Sequence, residues 1–486
     1  MNKPLFDLWG LKYNMRYVLP LFTITLLAFF SVLLSGCGES TNAPPVQGYT
    51  LYGSLQLEDG ADPSTATVVL YAVPQDQQLL QAFASNPTVG FSPYSNMLFN
   101  PANQAPLASN SPSVTGDFSF ENLGQGYYIL SANLNGYACA EPVWLNLQGD
   151  TGIGTLSLSL LHEVNGNISN NTTWQTGKAY LVTGDIMVLP TAVLTIQSGV
   201  SILLDGDYSF TVTGGFDITA TPLEPTRIWL SDDHYNSGGD WGGIHLSNPA
   251  FDCEISGTLI RSASTAVKVT GGTTQIVECL FDSARITGVN FQGNAQGSVE
   301  YCIFSEGNTG LAVSESDPEL HHNLIVGLSA KGIEVKNYTQ AHIHHNVLID
   351  CQQSIWAGWD AAPILEYNLF QGGNKAIQAE SGFFATIEYN EFAGQLVEGI
   401  YLKNNCYPII SNNNFIDMPQ TILHVNGNSG QQADTLEAEY NYWDGEDNTG
   451  IPDRIIDGHD IGSAGNPVGP VEYEPFRLQT VSGAGP

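Results

Sequence analysis

The stretch LHHNLI at residues 320–325 returns as IHHNVL at residues 343–348 and decides the fold. Both copies place an asparagine before two aliphatic residues, and further copies lie before and after them at intervals of about 22 residues. In those copies the place of the asparagine, here called the ladder position, is taken by Cys279, Cys302, Asn368, Asn390 and Asn413. A fixed period of this length is the signature of a protein built from stacked repeats.

A second series of residues runs in phase with the first. A small residue followed by an aliphatic one recurs as Gly310-Leu311, Gly332-Ile333, Ser354-Ile355, Ala376-Ile377 and Gly399-Ile400. We interpret each repeat as one coil of three short strands, with aliphatic side chains inside and the asparagine at a corner. There it can hydrogen-bond both its own turn and the backbone of the next coil. Each strand then lies parallel to its copy in the next coil, about 4.8 Å away.

This pattern resembles the right-handed parallel β-helix of the pectate-lyase-like superfamily. The stretches AVLTIQSGV (192–200) and GDWGGIHL (239–246) look like the entry coils of such proteins, and NYW (441–443) with VEYEPF (471–476) looks like a last coil and its cap. The resemblance implies an all-β fold with a right-handed parallel β-helix over residues 163–477 and a tail over residues 478–486. It does not specify a reaction.

Residues 46–160 predict a small β-sandwich. Short alternating runs separated by Gly, Asp, Pro and Asn indicate strands at 49–57, 66–73, 117–120, 127–132, 143–147 and 154–160. No segment of helical period competes with them. The stretch GDFSFENLGQGYYIL (116–130) resembles the carboxypeptidase-regulatory-like, or transthyretin-like, fold, which implies a spacer or binding module. A long insertion from Gln75 to Ser113 departs from that compact pattern.

The composition excludes several classes of protein. The chain has 486 residues, 14 Lys and Arg against 48 Asp and Glu, and a formal net charge of −34. Phosphate would be repelled by this surface, so nucleic acid is excluded as a partner. Hydrophobic residues make up 42% of the chain, which predicts an ordered protein, and the 51 glycines favour strands and turns over long helices.

The N-terminus predicts export and lipid attachment. Lys3, Lys12 and Arg16 precede an apolar stretch at 17–34, as in a secretory signal; a retained transmembrane anchor is the alternative. The tetrapeptide LSGC at 34–37 resembles a bacterial lipobox, which implies that residues 1–37 are the signal and lipobox and that Cys37 carries lipid. By the same resemblance, Gly38 in place of Asp favours the outer membrane or cell surface. Residues 38–45 read as a tether.

Histidines and carboxylates form a predicted row beside the ladder. Two residues before the ladder position lie Glu300, His321, His344, Glu366 and Glu388, and one residue before it lie Tyr301, His322, His345, Tyr367 and Tyr389. Imidazoles with carboxylates suit a metal or acid–base site, which makes His321, His344, Glu366 and Glu388 the catalytic candidates. The alternative, which we favour, is a stacked and hydrogen-bonded corner without chemistry.

A second predicted row follows the small-then-aliphatic step and points outward by strand alternation. It comprises Lys268, Asn290, Ala312, Glu334, Trp356, Gln378, Tyr401 and Leu423, with Trp359 close to it. Exposed aromatic rings beside amides and carboxylates suit stacking on sugar rings and hydrogen bonds to hydroxyl groups. The ligand-binding candidates are Trp356, Trp359, Tyr401, Gln378 and Glu334. The alternative is packing beneath a loop or against the first domain.

Two further features concern metals and thiols. An acidic loop near the C-terminus holds the candidate calcium ligands Asp444, Glu446, Asp447 and Asn448, although its glycine spacing fails the helix–loop–helix calcium pattern. We predict that the protein requires no cofactor; if one binds, it is calcium in this loop.

At the ladder, Cys279 and Cys302 could form a disulfide, but we favour two buried thiols in place of asparagine.

These features predict a lipid-anchored protein of the cell envelope. Its β-helix would serve as a rigid binding or scaffold surface for carbohydrate, without catalysis. One alternative is an enzyme acting on polysaccharide, a lyase or a hydrolase. Another is a structural or adhesive protein that contacts another surface protein.

Overall fold

The computed structural model describes residues 48–73, 77–91, 99, 104–138, 142–231, 239–427, 435–460 and 469–486. The described strands and helices all belong to one compact unit, residues 49–486. The predicted signal, lipobox and tether, and with them Cys37, lie outside the described residues.

Residues 49–160 build two facing sheets, as the alternating runs predicted. Their strands are β1 (Tyr49–Leu57), β2 (Thr67–Ala72), β3 (Ala108–Asn110), β4 (Asp117–Leu123), β5 (Gly126–Asn133), β6 (Tyr137–Ala138), β7 (Val143–Leu147) and the first part of β8 (Thr151–Ile168). Strand β1 pairs with β4 and β8, and the second sheet has the order β3-β2-β5-β7. Alternate apolar side chains such as Leu55, Leu70, Phe118 and Leu130 fill the space between the sheets.

One helix interrupts this β pattern, so the prediction that no helix competes there was wrong. Helix α1 (Gln77–Ser85) lies in the long insertion, and short 3₁₀ turns occur at Pro63–Thr65 and Ile451–Arg454. Leu79, Phe83 and the following Phe91 are buried against outward-facing aliphatic side chains of the repeat region. The apolar contact explains why so short a segment is helical, since isolated helices of this length are marginal in water. Among the described residues, no helix has the length and hydrophobicity to cross a bilayer.

The repeat region consists of short strands joined by tight turns. In its first half they are β9 (Thr172–Trp174), β10 (Ala179–Val188), β11 (Val193–Gln197), β12 (Ser201–Leu204), β13 (Ser209–Val212), β14 (Gly215–Thr219), β15 (Thr226–Leu230), β16 (Gly243–Ser247), β17 (Cys253–Ser256), β18 (Thr258–Arg261), β19 (Thr265–Thr270), β20 (Thr273–Val277), β21 (Leu280–Asp282), β22 (Thr287–Gln292), β23 (Gln296–Glu300), β24 (Ile303–Ser305) and β25 (Thr309–Ser314). In its second half they are β26 (Glu319–His321), β27 (Leu324–Val326), β28 (Lys331–Lys336), β29 (His342–His344), β30 (Val347–Ile349), β31 (Gln353–Gly358), β32 (Ile364–Glu366), β33 (Leu369–Gln371), β34 (Lys375–Glu380), β35 (Thr386–Glu388), β36 (Glu391–Ala393), β37 (Glu398–Lys403), β38 (Ile409–Ser411), β39 (Asn414–Ile416), β40 (Thr421–Asn426), β41 (Leu436–Glu437), β42 (Tyr442–Trp443), β43 (Ile455–Ile456) and β44 (Val471–Glu472).

These strands form a parallel β-helix with three sheets, which confirms the predicted coil. Sheet 1 runs from the end of β10 through β13, β16 and every third strand to β43. Sheet 2 has eleven strands, from β9 and β11 through β14 to β38. Sheet 3 runs from the start of β10 through β12 and β15 to β42. The interior is one continuous apolar core along the whole stack.

Strand β8 connects the two parts of this unit without a break. Its first half pairs with β1 of the sandwich, and Leu161 to Ile168 pair with β10 of the first coil. The predicted division between residues 160 and 163 therefore falls inside one 18-residue strand.

The predicted asparagine ladder is present at the corner between sheets 2 and 3. At a representative step, Asn346 donates its backbone N–H to Oδ1 of Asn368 (3.0 Å) and its Nδ2 to the carbonyl of Leu320 (2.8 Å). The ladder continues one step beyond the sequence prediction, to Asn441. The residue before each ladder position has positive φ, 54° at His322, which turns the chain sharply. The ladder carboxamides satisfy backbone groups that this turn leaves inside the protein.

The thiols at the start of the ladder are free, as favoured from the sequence. Cys279 and Cys302 are fully buried, and the backbone N–H of Cys279 lies 3.4 Å from Sγ of Cys302. Burial raises the pKa of Cys302 well above its ordinary value. Both side chains are buried replacements for asparagine at the ladder position.

Candidate functional site

The predicted histidine–carboxylate row lies on the outer surface of sheet 2. Strand pairing places Glu300, His321, His344, Glu366 and Glu388 in register on consecutive coils. The four catalytic candidates from the sequence are thus neighbours in one row. At the end of the row, Glu388 accepts a hydrogen bond of 2.6 Å from the hydroxyl of Ser411.

Strand alternation adds two residues that sequence analysis missed. Glu319 and His342 lie two residues before His321 and His344, face the same side of sheet 2 and are paired with each other. Nε2 of His344 lies 3.1 Å from Oε1 of Glu319, and Nε2 of His342 lies 3.5 Å from Oε1 of Glu366. These groups belong to one surface, here called the histidine–carboxylate face, which comprises Glu300, Glu319, His321, His342, His344, Glu366 and Glu388.

The imidazoles of His321 and His344 are predominantly neutral at neutral pH. Burial lowers the pKa of His321 and of His344, and in His344 this outweighs the opposing hydrogen bond to Glu319. The same hydrogen bond lowers the pKa of Glu319, so its carboxylate stays ionised. A neutral imidazole keeps a lone pair for a proton or a metal ion.

A column of stacked rings supports the face from the adjacent corner. Tyr301, His322, His345, Tyr367 and Tyr389 occupy the positive-φ positions, with successive ring centroids 4.9, 5.0, 5.0 and 5.3 Å apart. This is the stacked corner that the sequence predicted as the alternative to a chemical site. Hydrogen bonds of 2.9 Å join Nδ1 atoms across the corner, His321 to His322 and His344 to His345. The stack therefore restrains the orientation of the outward-facing imidazoles.

The predicted ligand-binding row lies on the outer surface of sheet 1. Glu334, Trp356, Gln378 and Tyr401 are paired in that order across four consecutive strands. The row continues with His424, not with the predicted Leu423, which is fully buried. The chain between these two coils is one residue longer than the pattern assumed, and a one-residue shift exchanges the inner and outer sides of a strand.

Lysines accompany the aromatic rings of this row. The ammonium group of Lys331 lies 4.3 Å from the ring centroid of Trp356, and that of Lys375 lies 3.9 Å from the ring centroid of Tyr401. Both distances are in the range of cation–π attraction. Both rings are half-buried, whereas Trp359, at the turn after β31, is 48% exposed and meets Trp356 edge-on at 5.4 Å.

Polar side chains complete this surface, here called the lysine–aromatic face. It comprises the outward residues of β28, β31, β34, β37 and β40: Lys331, Glu334, Lys336, Gln353, Trp356, Lys375, Gln378, Glu380, Glu398, Tyr401, Lys403, His424 and Asn426. Gln353 donates to Gln378 at 2.8 Å, and Asn426 donates to the hydroxyl of Tyr401 at 2.9 Å. These hydrogen bonds fix the side chains. They leave other donor and acceptor positions of the amides and the hydroxyl group available for a ligand.

Carboxylates on the lysine–aromatic face are paired with cations. Glu334 lies 2.8 Å from Lys331, and Glu398 lies 2.7 Å from Lys375 and 2.6 Å from His424. Burial raises the pKa of Glu398, but the hydrogen bonds from Lys375 and His424 outweigh it and the pKa is lowered overall. Glu398 is therefore ionised at neutral pH.

The candidate calcium ligands are spread over separate interactions. Asp444 accepts hydrogen bonds from the backbone of Asp417 and Met418, and Arg454 contacts both Asp444 (3.2 Å) and Glu446 (2.9 Å). Asp447 instead accepts from Thr449. A calcium ion in this loop would have to compete with the guanidinium of Arg454, and calcium binding there stays a prediction.

Comparison with known proteins agrees with the architecture. Residues 242–392 match the family described as the right-handed β-helix region, so the parallel coil seen here is right-handed. No curated protein shows detectable sequence similarity to the chain.

Two kinds of solved structure are similar in part. One is a double mutant of the tailspike protein of E. coli bacteriophage HK620, with 11% identity, 57% of this chain and 59% of that chain covered, and a TM-score of 0.38. The other is the Family 28 exopolygalacturonase of Yersinia enterocolitica, with 9% identity, 80% and 98% coverage, and a TM-score of 0.32. The chain thus spans 59% of the tailspike chain, and neither likeness carries a conclusion about ligand or activity.

Proposed function

We propose that the chain is a lipid-anchored protein of the cell envelope whose β-helix binds carbohydrate on the lysine–aromatic face without cleaving it. The observation that carries the proposal is the row in which Trp356 and Tyr401 lie two strands apart with Gln378 between them. Two strand spacings amount to roughly 10 Å. That is about the length of two sugar units in an extended chain, so a glycan running along the helix axis could meet both rings.

The polar groups around these rings suit hydroxyl groups of a sugar. Gln353, Gln378 and Asn426 supply amide donors and acceptors, and such groups give carbohydrate sites their orientation. The face also gathers four of the 14 basic residues, Lys331, Lys336, Lys375 and Lys403, beside three glutamates. This near balance on a chain of net charge −34 would let a weakly acidic glycan approach without the repulsion present elsewhere, while a neutral glycan carries no charge to be repelled.

The ion pairs of the carboxylates on this face support the proposed absence of catalysis there. Hydrolysis of a glycoside needs one carboxyl group that can donate a proton. Glu398 is ionised, and Glu334 and Glu380 are paired with lysines, at 2.8 Å from Lys331 and 3.6 Å from Lys403 respectively. Glu398 is therefore arranged to accept hydrogen bonds rather than to deliver a proton.

Membrane attachment rests on the N-terminal sequence. Lipid on Cys37 would hold the chain at a bilayer, because each buried CH₂ group adds binding energy. Residues 38–45 would form the tether, the sandwich would serve as a spacer of the carboxypeptidase-regulatory-like kind, and the outer membrane or cell surface is the proposed location.

The proposal is tested with full-length protein in detergent on an array of neutral and acidic glycans. Wild type should retain a subset of glycans, and Trp356→Ala should lose at least tenfold in affinity for them. A matched control is Phe251→Ala, which removes an aromatic ring that is 47% exposed outside this face. Equal retention by wild type and Trp356→Ala, or retention of no glycan at all, would overturn it.

A further inference from the structure

We propose that Glu319, His342 and His344 form a binding site for a transition-metal dication of the zinc class on the histidine–carboxylate face. One donor atom of each residue lies within 4.8 Å of the donor atoms of the other two. The two histidines are two residues apart on β29, so they point to the same side, and Glu319 is paired with His342 from the neighbouring strand β26. The positions of the three ligands are therefore determined by paired strands and not by a loop.

The donor set selects the class of ion. Two imidazoles and one carboxylate suit zinc and its neighbours, whereas calcium and magnesium prefer oxygen ligands alone. Zinc bonds of about 2.0–2.1 Å in tetrahedral geometry separate ligand atoms by roughly 3.3 Å. Nε2 of His344 and Oε1 of Glu319 are already 3.1 Å apart, so small side-chain rotations would bring the third ligand into place.

An unsatisfied atom in the same cluster points independently to a ligand. Nε2 of His342 is inaccessible to solvent and makes no hydrogen bond to any of the described residues. A buried polar atom without a partner is unfavourable, and a metal ion accepting its lone pair would remove that cost. Oε1 of Glu366 lies 3.5 Å from this nitrogen and offers a further carboxylate.

A contact across the corner allows one ligand to change to the tautomer that a metal requires. Nδ1 of His344 lies 2.9 Å from Nδ1 of His345, so one of these nitrogens carries the shared proton. Without a metal, Nε2 of His344 carries the proton because it faces the ionised Glu319, and Nδ1 accepts from His345. A metal that replaces the proton on Nε2 makes Nδ1 of His344 the donor to His345. The ring of His345 is in turn stacked between His322 and Tyr367, each 5.0 Å away. The ligand is thus oriented before the ion arrives.

Metal binding is tested on the full chain, stripped with a chelator and then given zinc or cobalt. We expect one zinc per chain to remain after gel filtration, and Co²⁺ to give a visible absorption band typical of four-coordinate nitrogen and oxygen ligation. His342→Asn and His344→Asn should lose the retained ion, and Glu319→Gln should weaken binding by tenfold or more. Far-UV circular dichroism verifies that each variant is folded.

Glu300→Gln is the matched control, because Glu300 faces His321 at 3.6 Å one coil earlier and is not in the proposed ligand set. It should retain zinc as wild type does. The exposed position of Glu319, whose side chain is 53% accessible, makes the isosteric Glu319→Gln change compatible with folding. Absence of stoichiometric zinc in wild type, or equal losses in Glu300→Gln and Glu319→Gln, would overturn the proposal.

Discussion

The ammonium group of Lys331 lies 4.3 Å from the ring centroid of Trp356 and 2.8 Å from Oε1 of Glu334. The lysine thus bridges a carboxylate and an aromatic ring that are neighbours in the same outward row. One consequence is that Trp356 is held by its surroundings and loses little conformational freedom on meeting a ligand. Preorganisation of this kind favours binding, since the ordering cost is met during folding.

Removal of this cation should weaken glycan binding without abolishing it. Lys331→Met keeps the length of the side chain but loses the cation–π contact, which is worth about 0.5–1 kcal/mol at an accessible site. A loss of about two- to fivefold in affinity is expected, measured by calorimetry with a glycan retained on the array. Lys178→Met, which breaks an ion pair with Glu58 away from this face, should leave the affinity unchanged. Equal affinities for wild type and Lys331→Met would show that the contact does not position Trp356.

The asparagine ladder should be a major source of stability. Asn368→Ala would leave the backbone N–H of Asn346 and the carbonyl of Ile343 without their partners inside the protein. Each of these two unsatisfied buried groups costs about 1–3 kcal/mol, so the free energy of unfolding should fall by about 2–6 kcal/mol. Chemical denaturation measures this, with Asn374→Ala as control at a partly exposed position in the same coil. A similar small change in both variants would contradict a stabilising ladder.

Acid should destabilise the stacked corner. Burial, followed by the charges of His321, His345 and His344, lowers the pKa of His322 from 6.5 to about 4. Above pH 6.5 the residue is neutral in the folded and unfolded chain alike. Between pH 6.5 and about 4, His322 binds a proton in the unfolded chain but not in the folded chain. The free energy of unfolding therefore falls as the pH falls.

The melting temperature of metal-free protein from about pH 7.5 to about 4.5 measures this effect. The decrease should be steeper in wild type than in His322→Asn, because the variant lacks the titrating group. Parallel curves for the two proteins would contradict the assignment.

Lipid attachment should depend on one thiol. If Cys37 is the acylated residue, Cys37→Ala should abolish incorporation of a labelled fatty acid and move the protein out of the membrane fraction. Cys253→Ala, which alters a buried thiol of the β-helix, is the control and should keep the label. Label retained in Cys37→Ala would exclude the lipobox interpretation.

The sequence predicted the coil, the ladder and both rows because all of them follow from one period. Asn346 and Trp356 recur at fixed offsets from their copies, and parallel coils convert such offsets into neighbours on a surface. The error at Leu423 arose where the period lengthens by one residue. Helix α1 was missed because its apolar face is matched by the distant Leu280 and Leu324, which no local pattern can reveal.

The metal-capable group was missed for a different reason. The repeat period relates His321 to His344 along the helix axis only, whereas Glu319 and His342 lie two residues away along the strands. Strand alternation alone would have placed His342 beside His344. The cation–π contacts of Lys331 and Lys375 depend on side-chain rotamers, which the periodicity of the chain does not determine.

The most direct test of the central claim is a combined measurement of binding and turnover on a retained glycan. Full-length protein is incubated with the glycan while affinity, new reducing ends and unsaturated products are all followed. We predict saturable binding that is lost in Trp356→Ala, with no product formed by wild type. Product formation that disappears in His344→Asn or Glu366→Gln would contradict the account and identify the histidine–carboxylate face as the active site of a polysaccharide-cleaving enzyme.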